Sequence, residues 1–367
     1  MKKAVETMKK ISSGPNIYDV AKHAGVSIAT VSRVLNNADY PVSNELKKRV
    51  FLAAKELNYS PNFLAKFLKS NLIPAIGVVV PTLQNPFFNQ VILGVESAAR
   101  QRDYEVIVFS SHRSLEQERK NILTMIQNRV MAMIISSIDS SPDTLKDYID
   151  CGGKVAMLES NFELPGAIKA NTDYQSAGLM AVEHLVSEGH RQIAFLTSPL
   201  TKSYRRQILS GIKSGAEKYS LPFSDRDIFT YESEKDLDNG LYEFEIGRHL
   251  ANSFLKVHTR YSAIIAINDI TAFGIIQALN QNNIAVPEQV SVISFDNITY
   301  SGMIYPPLTT IDLNASSIGA TGSKILIDSL GESGSISPDI SINFPFRLEK
   351  RQSVSNLKKV AYGSEHM

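Results

Sequence analysis

Apolar residues recur every three to four positions near the start of the chain and switch to short unbroken runs after residue 73. The first pattern predicts helices. Ile17, Val20, Ala21 and Ala24 share one face of a short helix that Asn16 can cap, and Gly25 breaks it as a tight turn requires. Ser27 caps a second helix with Ile28, Val31, Val34 and Leu35 along one side and Ala29, Thr30, Ser32 and Arg33 around the rest. Ser43 caps a third, with Leu46, Val50, Ala53, Ala54 and Leu57 inward and Lys47, Lys48, Arg49 and Lys55 outward. Two short helices joined through a glycine turn make a helix-turn-helix, although spacing alone also describes an ordinary helical hairpin.

The second pattern predicts buried parallel strands. Residues 75–80, 105–109, 132–135, 155–158, 193–196, 263–267 and 290–295 are continuous apolar runs. Helical segments such as 115–128, 176–188 and 272–282 separate them, so the body is an α/β chain.

Charge divides the chain at the same place. The 367 residues carry 38 Lys and Arg against 37 Asp and Glu. Residues 1–70 alone hold 12 basic and 5 acidic residues, which leaves an acidic body behind a basic head. Only the head is then suited to a polyanion. Cys151 is the single cysteine, so no internal disulfide is possible and a reactive role is not expected. No apolar run reaches the roughly 18 residues of a membrane span. The opening MKKAVETMKKISSG lacks an apolar stretch behind its charges, so the cytoplasm is the expected compartment.

Several motifs then make the head specific. Ile17-Tyr18-Asp19-Val20-Ala21, Ala24-Gly25-Val26-Ser27, Thr30-Val31-Ser32-Arg33-Val34-Leu35-Asn36, Pro41-Val42-Ser43 and Leu57-Asn58-Tyr59-Ser60-Pro61-Asn62 follow in order. Asn85-Pro86-Phe87-Phe88, Gly189-His190-Arg191, Asn268-Asp269, Phe295-Asp296 and Tyr305-Pro306-Pro307-Leu308-Thr309-Thr310 extend the series. The chain resembles the lactose-repressor/galactose-repressor (LacI/GalR) family of bacterial transcription regulators.

That resemblance implies an all-α helix-turn-helix head and an α/β core of two subdomains, like periplasmic sugar-binding proteins, crossed three times. The expected divisions are a disordered lead-in over 1–13, the head over 14–60 and a hinge helix with linker over 61–72. A first core subdomain spans 73–171 with 315–341, a second 172–314 with 342–353, and a tail closes the chain over 354–367. Ile28 and Ala29 would face the major groove with apolar contacts only, and Arg33 would meet a guanine edge or clamp a phosphate. Tyr18, Thr30, Ser32 and Asn36 would meet phosphates, with Ser27 and Asn62 also in the interface. Leu68, beside the equally apolar Phe67, would wedge into the minor groove from a hinge helix too short to persist alone.

In the core, the resemblance places Leu83, Phe87, Phe88, Glu159, Asn268 and Asp296 around an interdomain cleft. Core packing serves the two phenylalanines nearly as well, and Asp269 reads as a helix cap. Two positions depart from the family. Ile208 replaces an arginine common in sugar-binding members, and Leu313 stands where the lactose repressor has glutamine. A neutral monosaccharide is therefore not expected to bind well. A phosphorylated or larger effector engaging Arg205 or Arg206, or a protein co-regulator, is expected instead.

The whole reads as a repressor binding a pseudo-palindromic double-stranded DNA operator. It should act as a homodimer, since the tail lacks leucine heptads. No cofactor or metal is implied. A solute receptor or an α/β enzyme with an added head is the rival. Phosphate-loop, dinucleotide-loop and nucleophile-elbow motifs are all missing from the sequence.

Overall fold

The structure, a computed structural model, describes residues 15–35, 42–57, 59, 73–159, 162–231, 242–330 and 340–358. The chain separates into two units, residues 1–72 and 73–367. The lead-in, the loop 36–41 with Asn36, and the hinge segment with Asn62, Phe67 and Leu68 lie outside the described residues.

In the first unit, α1 (Ile17–Ala24) opens with a reciprocal cap. Asn16 Oδ1 accepts the amides of Tyr18 at 2.9 Å and Asp19 at 3.2 Å, while Asp19 Oδ2 accepts the Asn16 amide at 2.9 Å. Gly25 ends the helix with φ 62°, a left-handed conformation that only glycine adopts without penalty. Ser27 Oγ then accepts the Thr30 amide at 3.1 Å and starts α2 (Ile28–Leu35). Ser43 Oγ, 3.4 Å from the Leu46 amide, starts α3 (Asn44–Glu56).

Val20, Ala21, Ala24, Val31, Val34, Val50, Ala53 and Ala54 bury one shared core. Two sequence expectations are corrected here. Ile28 leaves the apolar stripe, at 41% exposed. Arg49 does not simply point outward: its guanidinium donates to the Ala24 carbonyl at 2.6 Å. Carbonyls in the last turn of a helix have no intrahelical donor, and Arg49 supplies one.

The second unit holds two six-stranded sheets. The first lobe is built from β1 (Ile73–Val80), α4 (Pro86–Arg100), β2 (Glu105–Ser110), α5 (Leu115–Gln127), β3 (Val130–Ile135), α6 (Asp143–Asp150), β4 (Lys154–Leu158) and β5 (Ile168–Thr172). The second holds α7 (Tyr174–Ser187), β6 (Ile193–Thr197), α8 (Ser203–Lys218), β7 (Ile228–Thr230), α9 (Tyr242–Leu255), β8 (Ala263–Ala266), α10 (Asp269–Gln281), β9 (Ser291–Asp296) and β10 (Thr309–Asp312). The chain then returns to the first lobe through α11 (Ala315–Leu330) and β11 (Ser341–Phe344), and closes on the second with β12 (Arg347–Glu349).

The strand orders are β11-β5-β4-β3-β1-β2 and β12-β10-β9-β8-β6-β7. Among the described residues all pairings are parallel except β10 with β12. The three passages between lobes therefore follow Thr172, Asp312 and Phe344. Because Ser341–Phe344 pairs with β5, the last passage lies beyond Phe344 and not between 341 and 342. No helix among the described residues is long and apolar enough to cross a membrane.

Three helix pairs approach backbone to backbone through reciprocal glycines. A Cβ on Gly94 of α4 would sit 2.0 Å from the Ser316 carbonyl oxygen of α11, and one on Gly319 2.0 Å from that of Val91. Gly178 and Gly211 join α7 to α8 in the same way, and Gly247 and Gly274 join α9 to α10. Any larger residue at these crossings forces the helices apart.

Candidate functional site

In the head, the caps and the shared core leave one side of α2 outward. Ser27, Ile28, Ala29 and Arg33 are exposed, Thr30 and Ser32 are half-buried, and Tyr18 of α1 is 67% exposed. Ser27 Oγ and Thr30 Oγ1 lie 2.9 Å apart, so both hydroxyls belong first to the helix start. The outward side thus offers small and apolar groups, a phenol and one guanidinium. This combination suits base edges and phosphates: the guanidinium matches guanine O6 and N7, and the phenol can donate to a phosphate.

In the core, parallel strands direct their carboxyl ends and the loops after them toward the space between the lobes. Glu159 follows β4 at φ 53°, and Asp296 ends β9 at φ 113°. Such positive φ is strained for residues with a Cβ and gathers at functional positions. Both carboxylates line a small inner cavity of about 40 Å³ together with Asn85, Phe87, Phe88, Tyr174, Tyr204, Glu243, Asn268 and Leu313. Ile208 lines it too, so both departures from the family pattern face the cleft. Phe87 and Phe88 meet edge to face at 5.5 Å and form part of its wall.

An outer pocket of about 340 Å³ adjoins this cavity and shares Glu159, Tyr204 and Glu243. Its basic lining is Arg113, Lys202 and Arg205. Lys202 Nζ donates to the Ser137 carbonyl at 3.3 Å, from one lobe to the other. Arg205 donates to the Pro199 carbonyl at 2.7 Å and the Tyr204 hydroxyl at 3.1 Å. A wider groove of about 750 Å³, lined by Asn171, Gln207 and Asn343, opens beside the same Tyr174, Tyr204 and Glu159.

Not every residue expected at the cleft gathers there. Leu83 is 47% exposed and is absent from the lining of these three spaces. Arg206 is turned onto its own loop, donating to the Leu200 and Thr201 carbonyls at 2.8 and 2.7 Å. Asn268 keeps its expected place at the cleft, but the helix cap read at Asp269 falls to it as well. Asn268 is the cap of α10, its Oδ1 accepting the Thr271 amide at 2.8 Å.

Asp269 is the first helical residue, fully buried. It accepts the Thr310 hydroxyl at 2.6 Å, the Ile298 amide at 2.9 Å, and the hydroxyls of Ser294 and Ser301. It therefore pins the loop that presents Asp296.

The structure adds residues that sequence reading missed. Glu243, in the first turn of α9, lies 3.3 Å from Arg113 and accepts from Asn85 Nδ2 at 3.3 Å. The Tyr174 hydroxyl donates to Glu159 Oε1 at 2.7 Å. Burial raises the pKa of Glu159, opposed by that hydrogen bond and by the charges of Lys202 and Arg205. Burial also holds Asp296 well above the ordinary carboxylate range, reinforced by the negative charges of Asp269, Glu159 and Glu243. Glu159, Asn268 and Asp296 were expected here from the family resemblance, whereas Glu243 and Tyr174 stand in no recognisable motif.

Comparison with known proteins sets this geometry among relatives. Residues 16–62 match the family described as bacterial regulatory proteins, lacI family. Residues 73–350 match periplasmic binding proteins and sugar binding domain of LacI family. The HTH-type transcriptional repressor PurR of Actinobacillus pleuropneumoniae serotype 3 (strain JL03) is 29% identical over 343 residues, covering 94% of this chain and 99% of that repressor. The ribose operon repressor of Escherichia coli (strain K12) is 30% identical over 322 residues, covering 84% and 91%. A crystal structure of the lac repressor dimer bound to operator and the anti-inducer ONPF superposes with a TM-score of 0.76 at 25% identity, covering 94% of this chain and 100% of that one.

Proposed function

This chain belongs to the LacI family of bacterial regulatory proteins, and from that premise we propose that it represses transcription as a homodimer on a pseudo-palindromic operator. The outward side of α2 carries the reading: Ile28, Ala29 and Arg33 face away from the head core, where base edges can reach them. Tyr18, Thr30 and Ser32 flank them as phosphate partners, with Ser27 fixing the start of the reading helix. Asn36, Asn62 and Leu68 complete the proposed interface from segments outside the described residues. The work is done in the cytoplasm, where the operator is.

The effector belongs in the cleft of the core, with an anionic end, such as a sugar phosphate, against Lys202 and Arg205 in the outer pocket. What supports this is the charge lining that pocket together with Ile208 and Leu313 on the inner wall, which offer a neutral sugar no hydrogen bonds. Such a ligand changes operator affinity only through a difference in its affinity for the open and closed lobes. Selection of operator sequences by the full chain, followed by fluorescence titration of the selected site with and without sugar phosphates, tests both halves. A selected site without dyad symmetry overturns the docking. Operator affinity that responds to free monosaccharides and not to phosphates overturns the anionic end.

A further inference from the structure

The inner cavity has a one-sided chemistry. Asp296 is only 8% exposed, and its carboxylate has no hydrogen-bond partner among the described residues. It lines the cavity beside Glu159 and Glu243, and among the described residues no lysine, arginine or histidine lines that space with them. Two donors nearby are already engaged. The Tyr174 hydroxyl serves Glu159, and the Asn85 amide serves Glu243. Asn268 uses its oxygen as the α10 cap. The remaining wall is apolar, from Phe87, Phe88, Ile208, Phe295 and Leu313.

A buried carboxylate without a partner is unfavourable, because its charge leaves water and meets no counter-charge. A sugar hydroxyl could donate to Asp296 but would bring no positive charge to it. An ammonium group has three donors and no acceptor, and its charge offsets the repulsion that Asp269, Glu159 and Glu243 exert on Asp296. We propose that the effector carries an amino group that enters the inner cavity as an ammonium against Asp296 and Glu159. Its anionic end stays in the outer pocket. The inference rests on the anionic reading above and names the other end of the same ligand. The class is an aminated sugar phosphate or a compound of the same charge pattern.

Calorimetry of the full chain with glucosamine 6-phosphate, glucose 6-phosphate, glucosamine and glucose tests it. The expected result is glucosamine 6-phosphate binding at least tenfold more tightly than glucose 6-phosphate. Asp296→Asn collapses that ratio to near one. Should Asp296→Asn fail to fold, Glu159→Gln is read for the same ratio. Equal affinity for the two phosphates overturns the ammonium subsite and leaves the anionic reading standing. Glucosamine binding as tightly as its phosphate overturns the anionic end and leaves the subsite. A ratio that survives both substitutions, or no binding by any of the four, overturns the inference.

Discussion

Arg113 of the first lobe lies 3.3 Å from Glu243 of the second, and its guanidinium stacks 4.2 Å from the centre of the Tyr242 ring. Both charged side chains are substantially withdrawn from water, so the pair is screened less than a surface one. It fastens the two lobes to each other on the cleft side. Arg113→Ala and Glu243→Ala should each loosen closure, with a coupling of roughly 1 kcal/mol in a double-mutant cycle on thermal unfolding. Additive effects would show that the pair is not a clasp.

Asp269 works by organisation. Its four donors come from β9, β10 and the loop between them. Asp269→Asn keeps the size but turns one acceptor into a donor facing hydroxyls and an amide. A loss of about 1–3 kcal/mol is expected for leaving such buried groups mismatched. Urea unfolding of the full chain measures it. Effector affinity should fall as well, because Asp296 loses its support, and an unchanged affinity would separate the two residues.

On the head, Arg33→Ala should cost about 1–3 kcal/mol at one base pair and flatten the preference there. Lys47→Ala, on exposed α3, should weaken binding to all sequences alike and lower the salt slope by about one if Lys47 meets phosphate. Binding titrations against a set of single-base operator variants distinguish these patterns. Uniform weakening by Arg33→Ala would make Arg33 a phosphate clamp.

Acid should loosen the core through His190. The residue is buried, with Nε2 3.1 Å from the Ser355 carbonyl and Nδ1 2.9 Å from the Ser262 hydroxyl, so it ties the segment after β12 to the start of β8. Burial holds its pKa below the usual 6.5, although the hydrogen bond to Ser355 and the charge of Glu188 oppose the shift. The unfolded chain therefore binds the proton more readily. Stability is full above the usual value and declines as pH falls through 6.5 toward the folded value. His184, lowered by burial and by the charge of Lys350, adds in the same direction. Asp296, held high, acts in the opposite sense. Melting temperatures of the wild type and His190→Gln between pH 7.5 and 5.5, a range of about two units, should show a shallower acid loss in the variant. Parallel curves would remove His190 from the account.

The helices of the head were legible because their caps and apolar spacing act within a few residues. The central strands were legible because burial on both faces leaves an unbroken apolar signature. Strand β5, Ile168-Lys169-Ala170-Asn171-Thr172, alternates exposure and so lacks that unbroken run, while β7 and β12 are only three residues long. The cleft was half legible. Glu159 and Asp296 followed strands that could be seen, but Arg113 and Glu243 are separated by 130 positions and meet only through the closure of the lobes. The α10 cap was read at Asp269 and lies at Asn268 because either residue type caps a helix, and only the hydroxyls and amide converging on Asp269 decide between them.

The reciprocal glycines have a mechanical consequence. Where two helices touch main chain to main chain, there is no layer of side chains to creep, and neither helix can slide without colliding with a carbonyl. Each lobe then behaves like a casting, not a cushion. Work done by a ligand wedged between two castings is not absorbed by them. It is delivered at the three short bridges after Thr172, Asp312 and Phe344, and the stiffness of a few residues there sets the throw of the lever.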